Sequence, residues 1–563
     1  MQVQDIILIF IYILLLVVIT PILGKFMYSV FCKEKNILTP PLGWLEKLIY
    51  KILKTDVTRD MNWKQYLFAV LVFNFFGFVL LYLLQVTQQW LPLNPQGLPN
   101  VSHHLAFNTA ISFVTNTNWQ SYAGETTLSY FVQMTGLTVQ NFVSAGTGVA
   151  VLLALTRGII SKQSGNLGNF WGDLTKSVLY VLLPLAVIKA IFLISQGVVQ
   201  NFNNYLTVTT LEGTKQILPM GPAASQTAIK MLGTNGGGFF NVNSAHPFEN
   251  PTPFSNFLEM FSILMIPAAL TNTYGKMVGS VKQGWVLFSA MMIIFIAALG
   301  FSLYTEFQPN SVMNNMLNME GKEARFGITN SVIWSTATTS ASNGSVNAMH
   351  SSLNPVASMI ATVLIMLGEI VFGGVGSGMY GMLIFVFLTV FITGLMVGRT
   401  PEYLGKKVEV TEVKMTILGI IAPSFVILVF TAIALSTETG LSSIMNKGPH
   451  GLHEVLYAFT SAAGNNGSAF AGLNANTVFY NIMIGLGMII GRFGVIIPVM
   501  VIAGSLAKKK ISPVSSGTFT TDNYLFIVLL ISVIIIVGAL TFLPALSLGP
   551  IAEYISMLRG VTY

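Results

Sequence analysis

Four short stretches of the chain combine glycine, asparagine, serine and threonine in a pattern suited to binding a cation. They contain no carboxylate and read TNTNWQ from Thr115, TNGGGFFN from Thr234, SASNGSVN from Ser340 and GNNGSAF from Gly464. Backbone carbonyls, hydroxyls and amide oxygens can replace the water around an ion, whereas rings of Asp or Glu suit divalent cations. The stretches therefore predict a pore for a monovalent cation coordinated by neutral dipoles; a pore for small neutral solutes is the alternative.

The centres of these stretches recur about every 110 to 120 residues, which indicates an internal repeat. They are Asn118, Gly236, Gly344 and Gly467. Glycine adopts the positive φ angles of tight turns, and Asn is among the residues that tolerate them best, so Asn118 is an acceptable exception. The repeat predicts one pore with approximate fourfold symmetry. Four unrelated polar loops in a generic transporter would be the simpler reading.

Each stretch follows an amphipathic run of about a dozen residues, which is too short to cross about 30 Å of hydrocarbon at 1.5 Å per residue. The runs cover residues 103–114, 222–233, 326–338 and 451–462. Polar backbone at membrane depth must be buried by protein or face a watery cavity. Each run therefore predicts a half-helix that enters the membrane and leads into a pore loop.

The rest of the chain has the composition of a polytopic membrane protein. Of 563 residues, 53% are hydrophobic and 9% are charged, and the mean hydropathy is +0.70. Ten apolar runs are long enough to predict spanning helices: 5–31, 65–90, 129–156, 177–196, 256–275, 284–304, 353–398, 414–436, 477–504 and 523–547. The expected fold is all-α, with four helix–pore loop–helix repeats around one ion pathway.

Lys and Arg are about three times as frequent in one set of alternate loops as in the other. We interpret the richer set as cytoplasmic, which places both termini outside the cell. The net charge of +7 then reflects topology and is no evidence for a nucleic-acid partner. The expected divisions are an N-terminal helix with a cytoplasmic loop, four repeats (the third with a broken second helix) and a C-terminal helix: 1–62, 63–160, 161–280, 281–400, 401–510 and 511–563.

The apolar region 353–398 is too long for one spanning helix and contains a dense run of glycines. They are Gly368, Gly373, Gly374, Gly376 and Gly378, and Glu369 lies among them. Glycines break helices, and an ionisable residue inside a membrane indicates a functional site. We interpret the segment as a gate below the pore loops, with a kinked, closely packed helix as the alternative.

Two arginines are assigned to the same pathway. Arg492, inside a spanning run, could act as a barrier to the cation or pair with a buried acid such as Glu369. Arg399 follows the broken region directly. The sequence contains no G-x-x-x-x-G-K-[ST] nucleotide loop, no H-E-x-x-H pattern and no nucleophile constellation, so we expect no catalytic site and no cofactor in this chain.

The chain resembles the family of potassium-channel-like subunits of the bacterial Kdp potassium-transporting P-type ATPases over its full length. The matching motifs are TNTNWQSY from Thr115, GTNGGGFFN from Gly233, NAMH from Asn347, GEIVFGGVGSGMYGM from Gly368, GRTPEYLGKK from Gly398 and NNGSAFAGL from Asn465. The resemblance implies a multi-pass protein of the bacterial cell membrane that binds potassium, and no other metal, at a single filter.

Carried over by position, the resemblance implies twelve filter residues: Asn116, Thr117, Asn118, Thr234, Asn235, Gly236, Ser342, Asn343, Gly344, Asn465, Asn466 and Gly467. It also implies that Gln120 lies close to the filter and that the segment around Gly373 to Gly378 is a gating loop. From there a path would lead laterally to the ATPase subunit.

The resemblance also implies partners: a KdpB-like ATPase subunit that hydrolyses ATP, a KdpC-like subunit, a small hydrophobic KdpF-like subunit and membrane lipid. A stand-alone potassium channel or ion-coupled transporter of the same superfamily is the competing function. A non-conducting membrane scaffold is a third.

Overall fold

The computed structural model describes residues 1–33, 35–310, 312, 316–513 and 519–561. Apart from single-turn pieces, its helices are, in chain order, α1 (Val3–Cys32), α2 (Thr39–Leu53), α3 (Trp63–Val86), α4 (His103–Val114), α5 (Val132–Ile160), α6 (Phe170–Ser195), α7 (Ala223–Leu232), α8 (Pro253–Met277), α9 (Val281–Glu306), α10 (Gly327–Ser340), α11 (Pro355–Met366), α12 (Ser377–Met396), α13 (Val410–Leu435), α14 (Gly448–Gly464), α15 (Val478–Lys508) and α16 (Tyr524–Leu558).

Within these described ranges, ten helices are long and apolar enough to cross a membrane, which confirms the predicted number. They are α1, α3, α5, α6, α8, α9, α12, α13, α15 and α16. The region predicted to be broken does divide, into α11 and α12, and the interruption between them covers residues 367–376.

The four short amphipathic runs form α4, α7, α10 and α14, each of which follows one spanning helix and precedes the next, with the short α11 lying between α10 and α12. Burial separates an inner layer from an outer one: 83% of the most apolar stretch of α5 and 72% of that of α8 are buried, against 22% for α1 and for α16. The helices that follow a half-helix therefore surround the pore loops, whereas the two terminal spans pack outside them.

Helix α2 corrects the expectation of a plain cytoplasmic loop before residue 62. It starts at Thr39 with two prolines in its first turn, where a missing backbone N–H costs nothing. Glu46 anchors it by accepting hydrogen bonds from Tyr50 and Tyr180. The described residues also include two small antiparallel hairpins: β1 (Leu206–Thr209) with β2 (Lys215–Leu218), and β3 (Glu402–Tyr403) with β4 (Lys406–Lys407).

Candidate functional site

Three consecutive residues after each half-helix share one backbone geometry. We call residues 116–118, 234–236, 342–344 and 465–467 the filter segments. The first and third residue of every segment have positive φ: Asn116 65°, Asn118 56°, Thr234 50°, Gly236 82°, Ser342 53°, Gly344 81°, Asn465 59° and Gly467 102°. All twelve residues are buried except Gly467, which is partly buried. The repeat seen in the sequence is thus also a repeat of conformation.

The middle residue of each segment is tied back to its own half-helix. Its amide nitrogen donates to the carbonyl oxygen five residues earlier, with distances of 2.9 Å (Thr117 to Ser112), 2.8 Å (Asn235 to Lys230), 3.1 Å (Asn343 to Thr338) and 2.9 Å (Asn466 to Ser461). These bonds use the amides of the segments and hold each segment at the carboxyl end of a helix. That end carries partial negative charge, which favours a cation.

Side-chain hydrogen bonds between neighbouring segments close a ring. Asn116 Nδ2 donates to Thr234 O (2.8 Å), and Asn235 Nδ2 donates to Asn116 Oδ1 (2.6 Å), which joins the first and second segments. The other joints are Ser342 Oγ to Asn465 O at 2.8 Å and Asn465 Nδ2 to Thr117 Oγ1 at 3.0 Å. Between the second and third segments, Asn343 Nδ2 donates to Lys230 O at 3.0 Å, on the half-helix that precedes the second segment. The sequence predicted the four segments, and the structure brings all twelve of these residues together.

Close packing explains why three centres are glycine. A Cβ on Gly236 would overlap the carbonyl oxygen of Asn343, one on Gly344 would overlap that of Asn466, and one on Gly467 would overlap that of Thr117. The first segment differs because the Asn118 side chain turns outward and donates to Asn141 Oδ1 of α5 at 2.6 Å. A fourth glycine is therefore not required there.

The interruption at 367–376 lies directly against the ring. Val375 N donates to Thr234 Oγ1 at 2.9 Å, and a Cβ on Gly374 would come within 3.3 Å of Ser342 Cβ. Asn466 Nδ2 donates to Glu369 Oε1 at 2.7 Å, so a carboxylate absent from the segments themselves lies next to them. Gly373 packs on the backbone of Gly378.

A cavity of about 80 Å³ begins beside the ring and extends between the interruption, α12, α13, α15 and α16. Glu369, Ser424 and Arg492 are among the residues that line it. Arg492 donates from Nη2 to the Ser144 carbonyl of α5 at 3.2 Å. Among the ion pairs of the described residues there is none between Arg492 and Glu369, so the direct pairing considered above does not form.

The remaining predicted residues separate into one beside the ring and one far from it. Gln120 forms two hydrogen bonds with Gly238, donating from Nε2 to its carbonyl at 2.9 Å and accepting from its amide at 2.8 Å. Arg399, in contrast, is exposed just after the end of α12 and is not among the residues that line the cavity.

Sequence reasoning missed residues that support the ring from behind. Ser144 Oγ donates to Asn116 Oδ1 at 2.8 Å, and Asn243 Nδ2 donates to Gly236 O at 2.6 Å. Lys230 lies in the run 222–233, for which the sequence predicted a half-helix but no role for the lysine, and its side chain is fully buried. Superposing the four repeats at their filter segments would have found Lys230, since it stands where the others have Ser112, Thr338 and Ser461.

Comparison with known proteins identifies the family. The family model described as "KdpA: Potassium-transporting ATPase A subunit" matches residues 10–555. The chain belongs to this family. A Leptospira interrogans relative, called the potassium-transporting ATPase potassium-binding subunit, is 56% identical over 98% of both chains. A Pseudomonas aeruginosa relative with the same name is 53% identical over 99% of this chain and 100% of its own.

The fold of this family member also has a distant structural match. The potassium transporter TrkH from Vibrio parahaemolyticus superposes with a TM-score of 0.52 at 14% identity, covering 88% of this chain and 97% of that protein. At this identity the match supports the architecture alone. Together with the ten spans it confirms the predicted polytopic α-helical fold with pore loops.

Proposed function

We propose that this chain is the potassium-binding subunit of an ATP-driven potassium uptake complex of the bacterial plasma membrane, and that potassium binds inside the ring of filter segments. The observation that carries the proposal is the ring itself: four helix carboxyl ends converge on buried segments whose middle amides already donate to their own half-helices. Their uncharged oxygens replace the hydration shell of a monovalent cation. Family membership and the names of the relatives support potassium as that cation.

In this proposal potassium enters from the outside, where both termini also lie, and leaves the ring sideways through the cavity beside it. Glu369 stabilises the ion as it leaves the neutral ring, and the interruption at 367–376 moves to admit it. Arg492 raises the barrier to cation passage in the absence of the partner. A KdpB-like subunit receives the ion and hydrolyses ATP, and KdpC-like and KdpF-like subunits complete the complex.

The function is tested by expressing the chain with its neighbouring subunits and measuring potassium uptake. We expect recovery as a complex, ATP-dependent uptake, and loss of high-affinity uptake in Gly236→Asp, since a carboxylate would crowd and recharge the ring. Recovery of the chain alone, with unaided potassium flux in liposomes, would identify a stand-alone channel. Unchanged uptake by Gly236→Asp would instead indicate a scaffold.

The lateral route has a separate test. Ser424→Trp fills the cavity, and Ser532→Trp on α16, which does not line it, is the matched control. We expect Ser424→Trp to retain equilibrium rubidium binding but to lose uptake, while the control keeps both. Normal uptake by Ser424→Trp would show that the ion leaves by another path.

A further inference from the structure

The second repeat differs from the other three at one position behind the ring. The middle amide of each filter segment donates to the carbonyl oxygen of the residue five positions earlier. That residue is Ser112, Thr338 or Ser461 in the first, third and fourth repeats, but Lys230 in the second. The Lys230 side chain has 0% exposure. A buried charge costs several kcal/mol of solvation and is stable only with well-placed partners. The partners of this lysine therefore show what it does.

The Lys230 ammonium has two partners, and one of them contacts the ring. It forms an ion pair with Glu249, whose side chain is also fully buried, and it donates to Asn243 Oδ1 at 2.8 Å. Asn243 Nδ2 in turn donates to the Gly236 carbonyl at 2.6 Å. The other oxygen of Glu249 accepts from Phe240 N at 2.7 Å, which fixes the pair to the chain that follows the filter segment.

Among the described residues, a side chain donates to the carbonyl of the third filter residue in the second repeat only. Within the same part of the chain, hydrogen bonds reach the carbonyl oxygen of Gly236 but not those of Asn118, Gly344 or Gly467. The third and fourth segments are instead held from within, because Asn343 Oδ1 accepts from Ser345 N (3.0 Å) and Asn466 Oδ1 accepts from Ser468 N (3.1 Å).

The second segment does not form these internal hydrogen bonds. In the third and fourth segments the serine hydroxyl also donates to the same Asn Oδ1, whereas Gly237 has no hydroxyl, and among the described residues Asn235 Oδ1 has no hydrogen-bond partner. The hydrogen bonds from Lys230 to Asn243 and from Asn243 to Gly236, which we call the brace, hold the second segment from outside instead.

The lysine also helps to fix which end of the Asn243 amide faces the ring. A side-chain amide can present either its oxygen or its NH₂ group. With the ammonium and the Ser244 amide (2.8 Å) both bonded to Oδ1, the NH₂ group is left to face Gly236. Without the lysine, Oδ1 loses its charged donor and is held by Ser244 alone.

We propose that Lys230 and Asn243 are positioning residues that orient the Gly236 carbonyl and thereby set the affinity and the ion discrimination of the ring. The proposal rests on the proposed function, since it assumes that the ring binds potassium. Because a selectivity ratio depends on small differences in carbonyl orientation and dipole strength, this ratio is the property most sensitive to the brace.

Two variants test the brace. Asn243→Gly removes the donor, keeps the Lys230–Glu249 pair and suits the positive φ of 55° at this residue. The double variant Lys230→Met/Glu249→Gln removes the pair without leaving an unpaired buried charge. The matched control is Lys322→Met/Glu306→Gln, which removes another fully buried pair, at 3.0 Å, that does not contact a filter segment.

The measurement is initial potassium and rubidium uptake, over a range of concentrations, by cells expressing the whole complex. We expect each brace variant to raise the half-saturating potassium concentration about tenfold and to change the potassium-to-rubidium ratio about threefold, with maximal rate within about twofold. The control should keep the wild-type values.

Unchanged affinity and ratio in Asn243→Gly would overturn the proposal, whatever the double variant does. A control pair whose removal shifts the ratio equally would do the same. Failure of the proposed function would look different, because the wild-type complex itself would then show no potassium-dependent uptake.

Discussion

The ring of filter segments and the interruption at 367–376 lie side by side and both contain several residues with positive φ, yet they are held differently. In the ring, each segment is bonded to its own half-helix and to a neighbouring segment. In the interruption, Gly368, Glu369, Phe372, Gly373 and Gly376 all have positive φ. Its contacts with the ring are few, chiefly those of Val375 and Glu369.

Glycine has two different roles in the ring and in the interruption. At Gly236, Gly344 and Gly467 it permits close approach between segments, so an added methyl group would collide with backbone. At Gly368 it permits a conformation but packs loosely, since the nearest atom to an added Cβ is 3.9 Å away. Gly368 is thus the loosely packed end of the interruption, whereas Gly373 and Gly376 pack against backbone as closely as the ring glycines do, and substitutions can separate the two kinds of position.

The largest effect is expected for Gly236→Ala. Its methyl group must push away the Asn343 carbonyl, and overpacking of this kind costs about 1–3 kcal/mol, or about 5- to 150-fold in affinity. Potassium uptake against concentration should show a half-saturating concentration raised by that factor. Gly344→Ala is the companion variant and should behave alike, whereas wild-type affinity in both would show that the ring is looser than its contacts indicate.

A smaller, different effect is expected for Glu369→Gln. The amide keeps an oxygen for the Asn466 hydrogen bond but loses the charge beside the ring. Loss of one charge-assisted interaction, about 1.5 kcal/mol, should lower the maximal uptake rate about tenfold while the half-saturating concentration changes less than about threefold. A large affinity loss with an unchanged rate would place Glu369 in the binding site instead of the exit path.

Gly368→Ala should have a still smaller effect, confined to rate. A non-glycine residue at φ +85° costs about 1–2 kcal/mol, but nothing obstructs the methyl group. We expect maximal uptake to fall by a few-fold with unchanged affinity for potassium. The comparison with Gly236→Ala is direct, because both positions have positive φ and only one is tightly packed.

The smallest effect is expected for Asn118→Gly, which makes the four centres alike. Glycine adopts the φ of 56° readily, and the substitution loses the hydrogen bond to Asn141. The half-saturating potassium concentration should change less than about threefold, because the substitution removes a single hydrogen bond that lies outside the ring. A loss as large as that of Gly236→Ala would mean that the Asn118 side chain itself holds the ring together.

The sequence predicted the spans and the half-helices because both follow from hydropathy and length. It did not predict α2, although Lys47, Lys51 and Lys54 alternate with apolar residues at helical spacing. The positions of the filter segments were predictable because small polar residues recur at a fixed interval.

The joints of the ring were not predictable, since Asn116–Thr234 and Asn465–Thr117 join residues more than one hundred positions apart. The role of Lys230 was hidden for another reason: a lysine in an outer loop is normally solvated, and only its burial reveals a structural partner. The assignment of Arg399 to the pathway stays a prediction, since this residue is exposed after α12 and does not line the cavity.

Binding of the transported ion inside the ring can be observed by cryo-electron microscopy of the complex in potassium and again in sodium alone. We expect ion density enclosed by residues 116–118, 234–236, 342–344 and 465–467 in potassium, and its loss in sodium. Density that persists in sodium, or that lies only elsewhere in the chain, would contradict it.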